Sequence, residues 1–394
     1  MVLDLAAVAA LLGDVPGLDA SCFAAPALNR FMAHPHSVWR GTRSRLTELL
    51  RESGSPDLRE DVELKARALV PLSAVAMLLP AEIGDYTDFY SSRAHAYNCG
   101  CMLRTPETAL QPNWLHMPVG YHGRSSSVFV SGTNVVRPSG QLALPPVGEK
   151  RGCEHGACRM MDYELEMAFF VGGPRTAPGE TISMQEADER IFGMVLMNDW
   201  SARDIQTWEM VPLGPFGSKN FATSISPWVV PLLALEPFRC SPVDAQAQTD
   251  PAPLEYLRDP DYATSAFDIR LEASIHAPGM PKPEIVTRTN HMNLYWNVRQ
   301  QLVHHAVTGC VMRPGDLLGS GTISGEAPDS LGCLLEASWK GTREVALGES
   351  GEKRTFLLDG DTVRITGRCV GDNGVTLGFG EVSGKVLPAR APRA

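Results

Sequence analysis

Glycine and proline limit this chain more than any other feature: 36 of one and 30 of the other are spread through 394 residues. Long uninterrupted helices have little room between such breakers, so a turn-rich β architecture is favoured over a helical bundle. The length also exceeds one ordinary compact core, and one large domain with a small companion is the expected division. Residues 1–80 read as the small unit and 81–394 as the large one. Within the first, 26–31 and 37–51 carry apolar residues at helical spacing, with Ser37 placed to cap the second stretch. A further short stretch, 61–69, is of mixed character.

The large unit reads as a mixed, β-rich α+β fold. A strand is expected over 162–171, and Ser183-Met-Gln-Glu186 is a capping-box pattern opening a helix through Arg190. Residues 193–198 form a short apolar strand, followed by a helix over 201–209. Clean alternation over 267–275 marks a half-buried strand, and 291–307 reads as a helix with Met292, Tyr295, Trp296, Leu302 and Ala306 tending to one face. Late strands are expected at 362–366 and 375–382.

Composition closes off several function classes. The formal net charge is −10, and no Lys/Arg run is long enough to follow a phosphate backbone, which disfavours nucleic acid. A small anionic substrate remains open, because cations local to a pocket outweigh the total. No uncharged apolar stretch reaches the roughly 18 residues that a bilayer span needs. The apolar opening segment is bracketed by Asp4 and Asp14 and lacks a basic start. The 9 cysteines are scattered without a disulfide spacing. A cytoplasmic protein with reduced thiols is expected.

Four carboxylates carry the chemistry: Asp88, Glu164, Glu166 and Asp199. Glu164 and Glu166 are two apart in a strand and leave from one face, where like charges repel unless a cation lies between them. A solvated strand face would present the same spacing. Asp199 ends an apolar strand at the mouth of a helix on which Arg203 and Gln206 are neighbours; a cap with an i,i+4 ion pair to Arg203 fits equally. Four hard anionic ligands converging on one point call for a hard divalent cation. His95 follows Asp88 closely, in the company of Tyr90, Arg93 and Arg104, and suggests proton transfer beside such an ion. Lys219 lies in a glycine-containing loop that could bring backbone close to a ligand or simply carry a surface lysine. The small-residue loop from Gly321 to Gly325 suits a carboxylate or a turn. Cys153-Glu-His-Gly-Ala-Cys158 lacks a fourth ligand for tetrahedral zinc and reads as a loop, and His304-His305 read as structural.

Together these stretches resemble the fumarylacetoacetate hydrolase family. The resemblance covers roughly residue 60 onward. It rests on Ile83-Gly-Asp-Tyr-Thr-Asp-Phe-Tyr-Ser-Ser-Arg-Ala-His95, Pro112-Asn-Trp-Leu-His-Met-Pro-Val-Gly-Tyr-His-Gly-Arg124, Glu164-Leu-Glu-Met-Ala-Phe-Phe170 and residues 193–209. Leu213-Gly-Pro-Phe216, Pro314-Gly-Asp-Leu-Leu318, Ser320-Gly-Thr-Ile-Ser-Gly325 and Ser338-Trp-Lys-Gly341 extend it. The resemblance implies a C-terminal β-roll catalytic domain, a small SH3-like N-terminal domain and a homodimer. It also implies cleavage of a β-diketone carbon–carbon bond to fumarate and acetoacetate, the last step of tyrosine and phenylalanine degradation.

By the same resemblance, Ca²⁺ or Mg²⁺ is held by Asp88, Glu164, Glu166 and Asp199, with a second Mg²⁺ position touching Lys219 and Thr223. His95 is the general base and Glu336 the acid that orients it. Tyr90, Arg104, Tyr121, Gln206 and Thr322 contact substrate, while Arg203, Gln206 and Lys219 steady the departing carbanion. Two departures stand out. Met210 occupies a position where animal relatives carry a substrate-touching tyrosine. Residues 1–8 match a strand well inside the family's N-terminal barrel, so that domain is expected to be partial.

Two rival readings compete with hydrolysis. A related acylpyruvate hydrolase, decarboxylase or isomerase would share the carboxylate site but generally lack the full set of His95, Arg104, Tyr121, Lys219 and Glu336. A metal-stabilised interaction protein would have no physical need to keep those residues.

Overall fold

A computed structural model of the chain describes residues 1–145, 152–372 and 374–391. Two β-sheets stack in its large part. The first is an 8-stranded mixed sheet with central strands Leu165–Val171 and Ile191–Asp199 running antiparallel. Tyr86–Phe89 and Leu317–Gly319 extend it on one side, Thr223–Ile225 and Val128–Val130 on the other. The second has 5 strands, led by Arg270–His276, Glu284–Asn290, Thr362–Val370 and Thr376–Leu387.

The main core lies between the sheets. Leu165, Met167, Phe169, Met194 and Leu196 meet Leu271, Ala273, Ile275, Val363 and Ile365 there. The alternate positions Ala168, Phe170, Val195 and Met197 face the opposite way, against Met32 and Trp39 from the N-terminal region. Both central strands are therefore buried on both faces. That is why they read as continuous apolar runs rather than as alternating patterns.

Within residues 1–80, strand structure is limited to Val2–Leu3 paired with Leu69–Val70; the rest is short helical turns and the helix His36–Leu50. The partial barrel expected here amounts to this one two-stranded pair. Val8, Leu12, Leu49, Leu58 and Ala68 form a small apolar cluster of their own. Trp39 ties the segment to the large sheet, its ring meeting Phe192 edge-on at 5.1 Å and its Nε1 donating to the Phe31 carbonyl at 3.1 Å.

Five local expectations need correction. Cys153–Ala157 is a strand paired with Ser139–Ala143 rather than a loop. The helix expected to open at Ser183 spans only Ala187–Arg190, with Glu186 at its cap position. Ser37 is not a cap: Pro35, with φ −60°, takes the cap position two residues earlier, so Ser37 falls inside the first turn. The helix expected over 201–209 begins at Arg203, because Ser201–Ala202 pairs with Met161–Asp162 as a short strand. The helix expected over 291–307 is two pieces, a 3₁₀ turn His291–Asn293 and a helix Val298–Ala306 opened by an Asn297–Gln300 capping box. Between them Tyr295 and Trp296 donate backbone N–H to the Ser91 carbonyl and pack beside Trp114. Aromatic packing overrides the helical spacing there.

Candidate active site

Sheet register assembles the site from distant segments. Asp88 pairs with Gly319 on one side and Tyr121 on the other, while Asp199 pairs with Thr223 and Glu166 with Met197. Glu164 and Glu166 occupy the same alternate set as Ala168 and Phe170, so all four acids reach one end of one face. One carboxylate oxygen from each lies within 4.8 Å of the others, and all four residues are buried. The solvated-face reading of Glu164 and Glu166 therefore fails.

Gly319 makes room for this cage. A Cβ there would stand 2.7 Å from Asp88 Oδ1 and 2.4 Å from Met197 Cε. Gly319→Ala is expected to destabilise the fold by about 1–3 kcal/mol through overpacking. It should also weaken cation binding; calorimetry and thermal unfolding check both.

The charge balance of the cage is uneven. Burial, reinforced by Asp199, pushes Asp88 up to about 8. Burial and then Asp88 drive Glu166 well above the usual carboxylate range. Burial also opposes ionisation of Glu164, but Lys219 and Arg203 outweigh it and hold Glu164 low. Arg203 reaches Glu164 Oε1 at 2.6 Å, and the Lys219 ammonium contacts Glu164 and lies 2.9 Å from Asp199. Lys219 is 6% exposed, so it is not a surface lysine. Asp199 also accepts from Tyr121 at 2.6 Å and Thr223 at 2.9 Å. It neither caps a helix nor pairs with Arg203.

Among the described residues, no donor reaches either oxygen of Glu166. Buried carboxylate oxygens without partners are costly, and hard anionic oxygens are the ligands that Ca²⁺ and Mg²⁺ take. The donor set therefore fits a hard divalent cation.

His95 stands beside the cage on the helix Arg93–Leu103, whose cap Ser92 accepts from the His95 amide. Its Nδ1 lies 2.7 Å from Glu336 Oε2, and both residues are buried. Glu336 is held further by Asn98 at 2.9 Å and Ser324 at 2.7 Å. Burial works against the imidazolium, but Cys99 and Glu336 overcome it, and His95 sits well above its ordinary range. Burial would raise Glu336; His95 and the hydrogen bonds from Asn98 and Ser324 keep it low.

The remaining expected contacts divide. Tyr90 packs edge-on to His95 at 5.2 Å. Gln206 accepts from Arg203 at 3.1 Å, and buried Thr322 Oγ1 has no partner among the described residues. Arg104 is exposed, and its guanidinium donates to the carbonyls of Thr108 and Ala109. It lines a cavity of about 170 Å³ together with Tyr90 and forms no ion pair among the described residues. Met210 is 38% exposed at the end of the helix Arg203–Glu209. Outside the site, Cys153 donates to Gln141 and Cys158 to Asp204, while His304 and His305 bond to Tyr256 and Thr87. All 9 cysteines are free.

Asp162 went unremarked in the sequence. Its carboxylate accepts from Arg203 at 2.9 Å and from the Leu334 and Leu335 amides at 2.8 and 2.9 Å. It thus ties the cation side of the cage to the short helix Leu334–Ala337 that carries Glu336. The alternation Asp162, Glu164, Glu166 was the available signal. Ser324 and Asn98, which hold Glu336, gave none. The loop after Gly319 makes a second tie: the Gly321 amide donates to Asp88 at 3.1 Å, while Ser324 bonds Glu336.

Comparison with known proteins adds independent information. Residues 86–386 match the family described as Fumarylacetoacetate (FAA) hydrolase C-terminal, and residues 1–80 match Fumarylacetoacetase N-terminal. A fumarylacetoacetase of Bos taurus is 53% identical over 394 residues, covering 98% of this chain and 90% of its own. Those of Mus musculus and Homo sapiens are 52% and 51% identical, each covering 99% of this chain and 90% of their own.

Proposed function

The chain belongs to the fumarylacetoacetase family, and we propose that the dyad and carboxylate cage described above carry out that family's reaction. It hydrolyses the carbon–carbon bond of 4-fumarylacetoacetate to fumarate and acetoacetate. The observation that carries this reading is a buried cluster of four carboxylates together with a buried His95–Glu336 pair, near enough for His95 to help hold Glu164 low.

Glu336 holds His95 through Nδ1, so Nε2, once it has given up the proton that Glu336 and Cys99 favour in the cation-free protein, is the nitrogen that takes a proton from the attacking water. Water adds to one ketone carbon, the adjacent carbon–carbon bond breaks, and its electron pair leaves on the acetoacetate fragment as an enolate. That fragment then takes up a proton. Arg203 and Lys219, fixed by Asp162, Glu164 and Asp199, place positive charge where negative charge develops. Gln206, oriented by Arg203, and the unpartnered Thr322 hydroxyl and Tyr121 supply polar contacts to substrate. Arg104 would bind a terminal carboxylate after turning from the carbonyls it now meets. Asp88, Glu164, Glu166 and Asp199, bordered by Lys219 and Thr223, would hold Ca²⁺ or Mg²⁺, which would supply Lewis-acid chemistry to the diketone.

Cation binding is expected to release protons. In the cation-free protein Asp88 is protonated up to about pH 8, and that proton must leave for the carboxylate to ligate. Affinity should therefore rise from pH 6 to about 8 and then flatten. The same shift has a stability consequence. A folded value above the ordinary one stabilises at low pH, and that contribution is lost as pH rises through about 8. Calorimetry in buffers of different ionisation enthalpy reads the proton release directly.

The test of the reaction assigned is a panel of fumarylacetoacetate and acylpyruvates with product analysis. Equal amounts of fumarate and acetoacetate support the reading; preferential release of pyruvate or CO₂ overturns it. We further infer a division into residues 1–80 and 81–394. The separate apolar cluster around Leu12 and Leu58 supports that division, and the Val2–Leu3/Leu69–Val70 pair supports an SH3-like relationship for the first part. A cytoplasmic homodimer is the assembly proposed. Unpaired thiols support the compartment, and the exposed apolar side chains Val211, Leu213 and Phe216 support a subunit contact.

A further inference from the structure

The outer face of the 5-stranded sheet carries a cleft of about 690 Å³, bordered by Arg270, Arg288, Arg368, Asn293 and the loop from Gly325 to Ser330. None of these groups belongs to the carboxylate cage or to the His95–Glu336 pair. The volume lies within the range of small-molecule sites.

The arginines are the informative feature. Arg270 and Arg368 stand directly opposite each other on antiparallel strands. Like charges in that position repel at side-chain separations of roughly 5 Å. Neighbouring arginines on this sheet each have an acid: Arg364 bonds Glu381 at 2.6 Å, and Arg288 lies 3.5 Å from Glu272. Arg270 and Arg368 have no ion pair among the described residues. Glu326 also borders the cleft, yet makes no ion pair with either. Two opposed guanidiniums left without an acid, facing a cleft rimmed by Thr289, Asn293 and Ser330, offer paired donors to a doubly charged ligand.

We propose that this cleft binds a small dianion with paired terminal oxygens, bridging Arg270 and Arg368. A dicarboxylate and inorganic phosphate share that chemistry. The site is independent of the diketone reaction, so its failure would leave the hydrolase reading untouched.

Titration calorimetry with succinate and, separately, with inorganic phosphate tests it on the full chain. Wild type and Arg104→Gln should both bind at least one of the two at this site, since Arg104 lies elsewhere. The double variant Arg270→Gln/Arg368→Gln should weaken that binding by at least about tenfold, the loss expected for charge-assisted hydrogen bonds. Glu326→Gln should tighten it, a gain that misfolding cannot produce. Whichever dianion shows this pattern identifies the source. Unchanged binding of both in the double variant, no binding of either to wild type, or no gain from Glu326→Gln overturns the proposal.

Discussion

His95→Ala is expected to lower turnover of fumarylacetoacetate by about 10³-fold, inside the range for removal of a positioned general base. That corresponds to about 4 kcal/mol of transition-state stabilisation. Cation affinity should change little, because His95 is not among the four clustered carboxylates. Glu336→Gln should cost about 10²-fold or more, since the neutral amide can still accept from Nδ1 but no longer supplies the charge that keeps the imidazole basic. Residues that act as a unit are not additive, so the double variant should be hardly slower than His95→Ala alone. Steady-state kinetics with parallel cation titrations check the set. Equal turnover in His95→Ala and wild type would remove His95 as the base.

Glu166→Gln should move two properties in opposite directions. Both oxygens of Glu166 lack donors and face Asp88, Glu164 and Asp199. In the cation-free protein Glu166 avoids that repulsion only by holding a proton, whereas an amide is neutral at every pH and can donate to a neighbouring acid. Unfolding free energy should therefore rise by about 1–3 kcal/mol, the usual cost of an unsatisfied buried group. Cation affinity should fall by at least about 100-fold, exceeding the 10–100-fold typical of groups that only support a ligand. Loss of stability together with loss of binding would indicate a structural rather than a ligating role. Thermal unfolding with and without chelator separates the two.

The identities of the acids were legible in the sequence, and so was the shared face of Glu164 and Glu166, because strand alternation fixes it. Their convergence with Asp88 and Asp199 was implied only by the family resemblance, not by local pattern, since it depends on sheet register between segments far apart in the chain. Lys219 illustrates the same limit. Its loop alone left a ligand-side and a surface reading open, the resemblance favoured the first, and only the fold shows it against Glu164 and Asp199. The pairing of His95 with Glu336 spans 241 positions, and no local pattern announces it. Strands 165–171 and 191–199 were visible as apolar runs, whereas 291–307 misled because Tyr295 and Trp296 sit at helical spacing yet pack in an extended segment. Arg104 shows the reverse: its type suits a substrate carboxylate, but its present partners are backbone carbonyls.

The most direct test of the central claim is a titration of chelator-treated protein with Mg²⁺ or Ca²⁺ while fumarate and acetoacetate are both quantified. Activity should be absent at first, rise in step with cation occupancy of the carboxylate cage, and release the two products in equal amounts. Full turnover by the chelated protein, or cation binding that restores none, would contradict the account.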